Sequence, residues 1–297
     1  MKLLVAIDAS KASAHVLEQI AARPWPAGST AEVLTVVEPS HLWTMSETAE
    51  QIVGQAREIT ERAAMMLDGD AAPGLSARAV VMQGDPKAVI IDRAKSEDVD
   101  LVLVGSHGAS ALQRFLVGSV ASGVVRHAPC SVEIVRERDG VAPGVRKILL
   151  AADGSPLSEL AAQEIAARSW GENVAVRVIS VEEYTMPAAQ ILLEPSFVFT
   201  DTEKELQKQA LERAENAVAS AVRILQPVFS DVSEKIAVPL RPAKEEILAE
   251  AEEWGADLIV LGSHGREGAE LLLLGSVSEA VATHAHCSVE VVRKRAN

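Results

Sequence analysis

Aromatic residues are scarce in this 297-residue chain: 3% of the sequence, with a single Tyr and four Phe. That scarcity argues against a base-stacking platform or an aromatic carbohydrate cleft and leaves an aliphatic core. Cysteine is equally sparse, and two residues make no disulfide framework, which fits a reducing cytoplasm. Basic residues are outnumbered, 28 Lys and Arg against 42 Asp and Glu for a formal net charge of −14. They form no stripe for a phosphate backbone, so no nucleic-acid partner is expected. No stretch approaches the roughly 20 apolar residues of a membrane span. The opening run from Met1 to Ile7 stops at Asp8, where a signal peptide would continue. The expectation is a soluble, cytoplasmic protein with no membrane partner.

What is present is ordinary globular composition, 48% hydrophobic and 24% charged. The length predicts two domains, each with a core of its own. An internal repeat fixes that division. Gly105-Ser106-His107-Gly108 recurs as Gly262-Ser263-His264-Gly265, Gly118-Ser119-Val120 as Gly275-Ser276-Val277, and Cys130-Ser131-Val132-Glu133 as Cys287-Ser288-Val289-Glu290, all at an offset of 157. Near the front of each half, Asp8-Ala9-Ser10 matches Asp153-Gly154-Ser155 at 145, and Val36-Val37-Glu38 matches Ser180-Val181-Glu182 at 144. About a dozen residues are therefore inserted in the second half, in the region 183–206. The boundaries read as a first domain over 1–138, a polar Gly- and Pro-containing linker over 139–145, and a second domain over 146–297.

Short apolar runs alternate with helical spacing in each half. The spacing predicts strands over 3–7, 33–37, 77–82, 101–104 and 132–135, with helices over 13–22, 49–67, 86–95 and 119–126 between them. The second half repeats this order from Ile148 to Val292. Five strands alternating with helices predict an α/β fold: two similar doubly wound, five-stranded parallel-sheet domains with right-handed crossovers. Met65-Met66 and Leu271 to Leu274 read as core, and the acidic stretches 202–215 and 245–253 as solvated helix faces.

In such a sheet, ligands sit beyond the carboxyl ends of the strands. After Val104 the chain reads Gly105-x-x-Gly108, then nine residues, then Gly118-Ser119 opening a helix. Glycines there let backbone N–H groups turn toward one point, and the helix start adds unpaired donors and a positive dipole end. That chemistry holds anions. Ser119 could be the helix N-cap or a phosphate donor, two uses of one oxygen. A glycine pair after a strand is also ordinary turn chemistry, and its retention in two copies marks a shared constraint that could still be one of folding.

On these motifs the chain resembles a tandem universal stress protein, both halves carrying the G-x2-G-x9-G-S pattern of the nucleotide-binding members. The resemblance implies a five-stranded fold of the adenine nucleotide alpha hydrolase-like type, binding ATP or another adenine nucleotide. By it, Asp8 and Asp153 would face the adenosine end and Val37 and Val181 would offer backbone to adenine. Phosphates would be held by Gly105, His107, Gly108, Gly118, Ser119 and Val120 in the first half, and by Gly262, His264, Gly265, Gly275, Ser276 and Val277 in the second. It also implies pairing of the final strands, Ser131 to Arg136 with Ser288 to Arg293, as an internal pseudo-two-fold domain pair. Two such chains could assemble further as a homodimer, and a regulatory role calls for a protein partner.

The halves depart from the family pattern differently. Ala9 stands where the family has Gly, and Arg241 stands at the position of Gly84. The first loop offers Gln113 and Arg114 to a polyphosphate. The second offers Arg266 but also Glu267 and Glu270, which would repel it unless a divalent ion such as Mg2+ intervened. His284-Ala285-His286-Cys287 has metal-capable residue types, but consecutive residues entering a strand point to opposite faces, so no metal site is expected. No Walker P-loop is present, and no nucleophile, general base and orienting group can be assembled. The expectation is a nucleotide-binding stress-response regulator with little or no turnover; a slow ATP hydrolase and a nucleotide-free interaction scaffold are the rivals.

Overall fold

A computed structural model describes residues 1–38, 49–69, 72–107, 117–138, 140–182, 201–237, 241–266 and 274–295. The first half runs β1 (Lys2–Ile7), α1 (Lys11–Ala21), β2 (Ser29–Val37), α2 (Ala49–Leu67), β3 (Leu75–Gln83), α3 (Pro86–Ser96), β4 (Leu101–Gly105), α4 (Ser119–His127) and β5 (Ser131–Val135). The second runs β6 (Lys147–Ala151), α5 (Pro156–Ala167), β7 (Ala175–Val181), α6 (Asp201–Leu225), β8 (Asp231–Ala237), α7 (Ala243–Trp254), β9 (Leu258–Gly262), α8 (Ser276–His284) and β10 (Ser288–Val292). Helix starts follow local chemistry. Ser10, Asp85 and Ser155 each accept a backbone N–H three residues on, at the starts of α1, α3 and α5. Gly255, at φ +71°, closes α7 in the left-handed region.

The ten strands form one sheet in the order β3-β2-β1-β4-β5-β10-β9-β6-β7-β8. Pairing is parallel within each half and antiparallel where β5 meets β10, with Glu133 opposite Glu290. The expected pairing of the last strands is thus present.

Each half was expected to bury its own core, and on one face of the sheet it does not. There Val132 and Ile134 of β5 and Val289 and Val291 of β10 belong to a single cluster with α3, α4, α7 and α8. On the other face the cores are separate, one under α1 and α2 and one under α5 and α6. The apolar surface shared at the centre ties the halves into one body, since burial is roughly proportional to area removed from water.

Three sequence expectations need correction. Met65 and Met66 are 68% and 42% exposed, not core, because α2 turns its Ala56, Thr60, Ala63, Ala64 and Leu67 inward. Within the 245–253 stretch, Glu246 and Glu250 are buried and paired with Arg241, and with Arg177 and Lys235, respectively. Sheet register also moves the equivalence of β2 and β7 by one residue. Val33 lies beside Val5 and Val178 beside Leu150, so Val36 matches Val181 and Val37 matches Glu182. Register divides the insertion as well: Thr30 lies beside Ser76 and Ala175 beside Asp231, an offset of 155 for β8. Ten of the twelve extra residues therefore precede β8 and two follow it. The inserted segment 183–200 lies outside the described residues.

Candidate nucleotide site

The second half builds its site at the carboxyl ends of β6, β7 and β9. β6 is flanked by β7 on one side and β9 on the other. The chain leaves β6 toward α5 on one face and leaves β9 toward α8 on the other, the switch that opens a crevice in a doubly wound sheet. A cavity of about 700 Å³ lies there. All eight second-half residues named above line it: Asp153 after β6, Val181 at the end of β7, Gly262, His264 and Gly265 after β9, and Gly275, Ser276 and Val277 at the start of α8.

One wall is aliphatic, from Ile179, Val181, Ile247 and Leu261. At the start of α8 the lining is polar backbone. Gly275 is the N-cap of α8 and supplies no side-chain hydrogen bond. The hydroxyl of Ser278 is turned away, donating to Gly262 O at 2.7 Å. The first turn of α8 is therefore part of the cavity wall with its N–H groups uncapped by side chains. An apolar slot ending at such a turn fits a ligand with a flat apolar part and an anionic tail.

Asp153 organises the turn between β6 and α5. Its Oδ1 accepts the Ser155 N–H at 3.0 Å and its Oδ2 the Arg266 N–H at 3.1 Å. A Cβ on Gly265 would stand 2.6 Å from that same Oδ2. Gly262 is explained differently: its Cβ would meet Leu157 Cβ at 2.8 Å, so helix packing alone requires glycine there. The Gly275 N–H donates to Ser263 O at 2.8 Å, clasping the loop across its base. His264 Nδ1 lies 3.2 Å from Ser263 Oγ, while its Nε2 is buried with no protein partner. Burial, then the nearby Arg293 charge, holds its pKa below the usual histidine value.

The first half repeats the framework. Asp8 Oδ1 accepts the Ser10 N–H and the Ser13 hydroxyl. Gly105 ends β4, where a Cβ would come within 3.1 Å of Ala12. Gly118 N–H donates to Ser106 O at 2.7 Å, the same clasp. His107 Nδ1 lies 2.9 Å from Ser106 Oγ, and its Nε2 is likewise buried and unpartnered. Val37 ends β2. Ser119 and Val120 open α4, but the N-cap is Gly118, so the Ser119 hydroxyl is not used as a cap. Gly108, Gln113 and Arg114 lie outside the described residues, as do Glu267 and Glu270. Gly154 has φ +76°, whereas Ala9 is absent from the positive-φ residues, so the Gly-to-Ala departure is met by a different turn after β1.

Among the described residues no group of three or more His, Cys, Asp or Glu could hold a metal ion. His127 Nδ1 contacts Gly123 O at the end of α4, a helix-terminal role. Cys130 and Cys287 are buried thiols, pushed up to about 12 by burial.

Sequence reasoning placed Arg136 and Arg293 at the ends of the paired last strands but gave their side chains no role. Arg136, just after β5, donates to Ala282 O and Thr283 O at the end of α8 and to Cys287 O just before β10. Arg293, just after β10, donates to Val125 O and Arg126 O at the end of α4. Each half's last strand thus caps the other half's site helix, where a cation is favoured by the helix dipole. The signal available was the repeat of Arg136 as Arg293 at the 157 offset.

The sequence profile of the universal stress protein family matches residues 1–136 and again 144–293. A universal stress protein of Mycolicibacterium smegmatis is 31% identical over 293 residues, 97% of this chain and 88% of that one. One from Mycobacterium tuberculosis is 36% identical over 205 residues, 67% of this chain but only 63% of that relative's length. The crystal structure of a universal stress protein from Archaeoglobus fulgidus superposes with a TM-score of 0.66 at 22% identity, covering 99% of this chain and 98% of that one.

Proposed function

Since the chain belongs to the universal stress protein family, with one domain in each half, we propose that it binds an adenine nucleotide, ATP or a form with fewer phosphates, and acts as a cytoplasmic regulator with little or no turnover. The observation that carries this reading is the cavity beyond β6, β7 and β9. Its aliphatic wall suits the adenine and its uncapped α8 start suits the phosphates. In this reading Val181 offers backbone to the base, Asp153 holds the turn beside the adenosine, and Gly265, Gly275 and Ser276 receive the phosphates. Mg2+ would arrive on the phosphates, since among the described residues no group of three or more His, Cys, Asp or Glu could hold it. Among the described residues no helix is long and apolar enough to cross a membrane.

Mass spectrometry of small molecules released from freshly purified protein tests the reading, together with calorimetric titration of ATP, ADP and AMP. A released or titrating adenine nucleotide supports it. No adenine ligand in either experiment would leave the interaction scaffold standing instead, and multiple-turnover ATP hydrolysis would make the protein an enzyme.

A further inference from the structure

The two candidate sites differ at three positions that the fold brings together in the second half. Glu182, just past the end of β7, is buried and lines the cavity. Its Oε1 accepts a hydrogen bond from Arg266 Nη2, and its Oε2 lies 3.5 Å from Arg213 Nη2 on α6. Sheet register puts Val37 at the Glu182 position of the first half. Loop spacing puts Ala109 at that of Arg266, and alignment of the buried Leu67 with Leu225 puts Gln55 at that of Arg213. A carboxylate and two guanidinium groups from three separate elements are thus present together in one half and replaced together in the other.

Their burial shows what the pairing does. Side chains of Arg213 and Arg266 are 49% and 40% exposed, whereas Glu182 is 5% exposed. The arginines can be solvated without Glu182, but Glu182 in its buried position needs a cation. Arg266 is also fixed by its backbone, through the N–H bond to Asp153. It therefore reaches across the cavity, anchored to acceptors at both ends. An incoming phosphate competes with Glu182 for the Arg266 guanidinium. When Arg266 turns to the phosphate, Arg213 remains to compensate Glu182, so the exchange leaves no bare buried charge.

We propose that Glu182 sets the phosphate affinity of the second site by competing for Arg266, a latch whose three positions hold Val37, Ala109 and Gln55 in the first half. It makes the two sites of one chain respond to different concentrations of a phosphate-bearing ligand. The proposal rests on the nucleotide reading for the identity of that ligand, while the latch itself is a matter of anion and guanidinium.

The test uses the full chain with Glu182→Val, the residue of the first half, and Glu182→Gln, which keeps the shape. Each is titrated calorimetrically with ATP, adenosine and inorganic tripolyphosphate. Both variants are expected to bind ATP and tripolyphosphate roughly ten-fold more tightly at one of the two sites, with adenosine unchanged, as loss of a close charge competitor predicts. Arg266→Ala should weaken the same site for both anions. Unchanged ATP affinity in both Glu182 variants, or an equal gain for adenosine, overturns the latch and leaves nucleotide binding intact. A gain for tripolyphosphate with no nucleotide binding sustains the latch and overturns the adenine assignment. Absence of binding by every probe overturns both.

Discussion

Glu133 and Glu290 stand directly opposite each other across the antiparallel β5–β10 pair, both fully shielded from solvent. They occupy the face where the two separate cores meet. Arg23 donates to both carboxylate oxygens of Glu133, one contact at 2.7 Å, and Arg168 to both of Glu290, one at 2.8 Å. Both guanidinium groups lie over the Trp170 ring, 5.7 and 5.6 Å from its centroid. Two like charges face each other at the pseudo-two-fold centre, each cancelled by its own half.

Removing one partner should cost more than removing both. Arg23→Met leaves the Glu133 carboxylate buried without a counter-ion and is expected to destabilise the protein by about 3–5 kcal/mol. Adding Glu133→Leu should return most of that loss, since a packed apolar pair needs no compensation. Urea unfolding of the single and double variants measures this, and a double variant no more stable than Arg23→Met would contradict it.

The same seam predicts what happens when the halves are cut apart at Pro143. All five residues of β5 are buried, as are all five of β10. Isolated halves would expose that strand as an unpaired apolar edge, which recruits another strand. Residues 1–138 alone should therefore pair as a homodimer through β5, or aggregate. Light scattering that finds both halves monomeric at micromolar concentration would argue against the seam as the main tie.

Much of this was legible because the repeat is written in glycines and cysteines, which keep their spacing while helices drift. The alternation of strands and helices was legible in the apolar pattern, while the pairing of the last strands and the eight cavity residues of the second half came from the family resemblance that those motifs carry. What stayed hidden were charges whose partners lie across the sheet. Glu32 pairs with Arg93 in the first half; at the equivalent positions the second half pairs Arg177 with Glu250, the same bridge with its signs exchanged. The two offsets, 145 and 157, differ, so no single alignment shows the exchange. Acidic spacing on α7 read as a solvated face for the same reason. Burial pushes the Glu250 carboxyl up, but Lys235 and Arg177 outweigh it and hold it below the usual range. The glycine argument was also incomplete: Gly105 and Gly262 answer to helix packing, leaving Gly265 and Gly275 to the site.

Acid should loosen the seam before it reaches the carboxylates. His286, beside β10, has its pKa lowered first by burial and then by Arg138 and Arg136, with Glu252 opposing. The unfolded chain takes up a proton near the ordinary value of about 6.5 that the folded chain refuses. The folded state therefore binds fewer protons in that window, and its stability falls as pH drops below about 6.5. Glu32 and Glu250, whose values are lowered, begin to lose their contribution only below about 4.5. Melting temperature followed from pH 7.5 to 5 should decline in the wild type and decline less in His286→Gln, the remainder belonging to His264, whose pKa is lowered as well. An identical decline in the variant would place the proton elsewhere.

Gly275 is the glycine on which loop shape and ligand access meet. Its backbone is extended, at φ −66° and ψ 152°, so any residue could adopt the conformation. The constraint is contact: a Cβ would lie 3.2 Å from Ser263 O and 3.5 Å from His264 Cα, the atoms of the clasp itself. Gly275→Ala asks Ser263 O to shift by a few tenths of an ångström, while the His264 contact is an ordinary one. Gly275→Val adds two methyl groups beside the uncapped first turn of α8, where the proposed phosphates approach. Overpacking of this kind costs about 1–3 kcal/mol, so a lower melting temperature is expected alongside a loss of ATP affinity of roughly ten-fold or more at one site. Gly118→Val should act likewise on the first half, and the two together should abolish binding in a protein that still melts cooperatively. Calorimetric ATP titration of the folded double variant decides the matter: undiminished binding would remove the phosphates from the Gly-Ser helix starts and with them the site assignment.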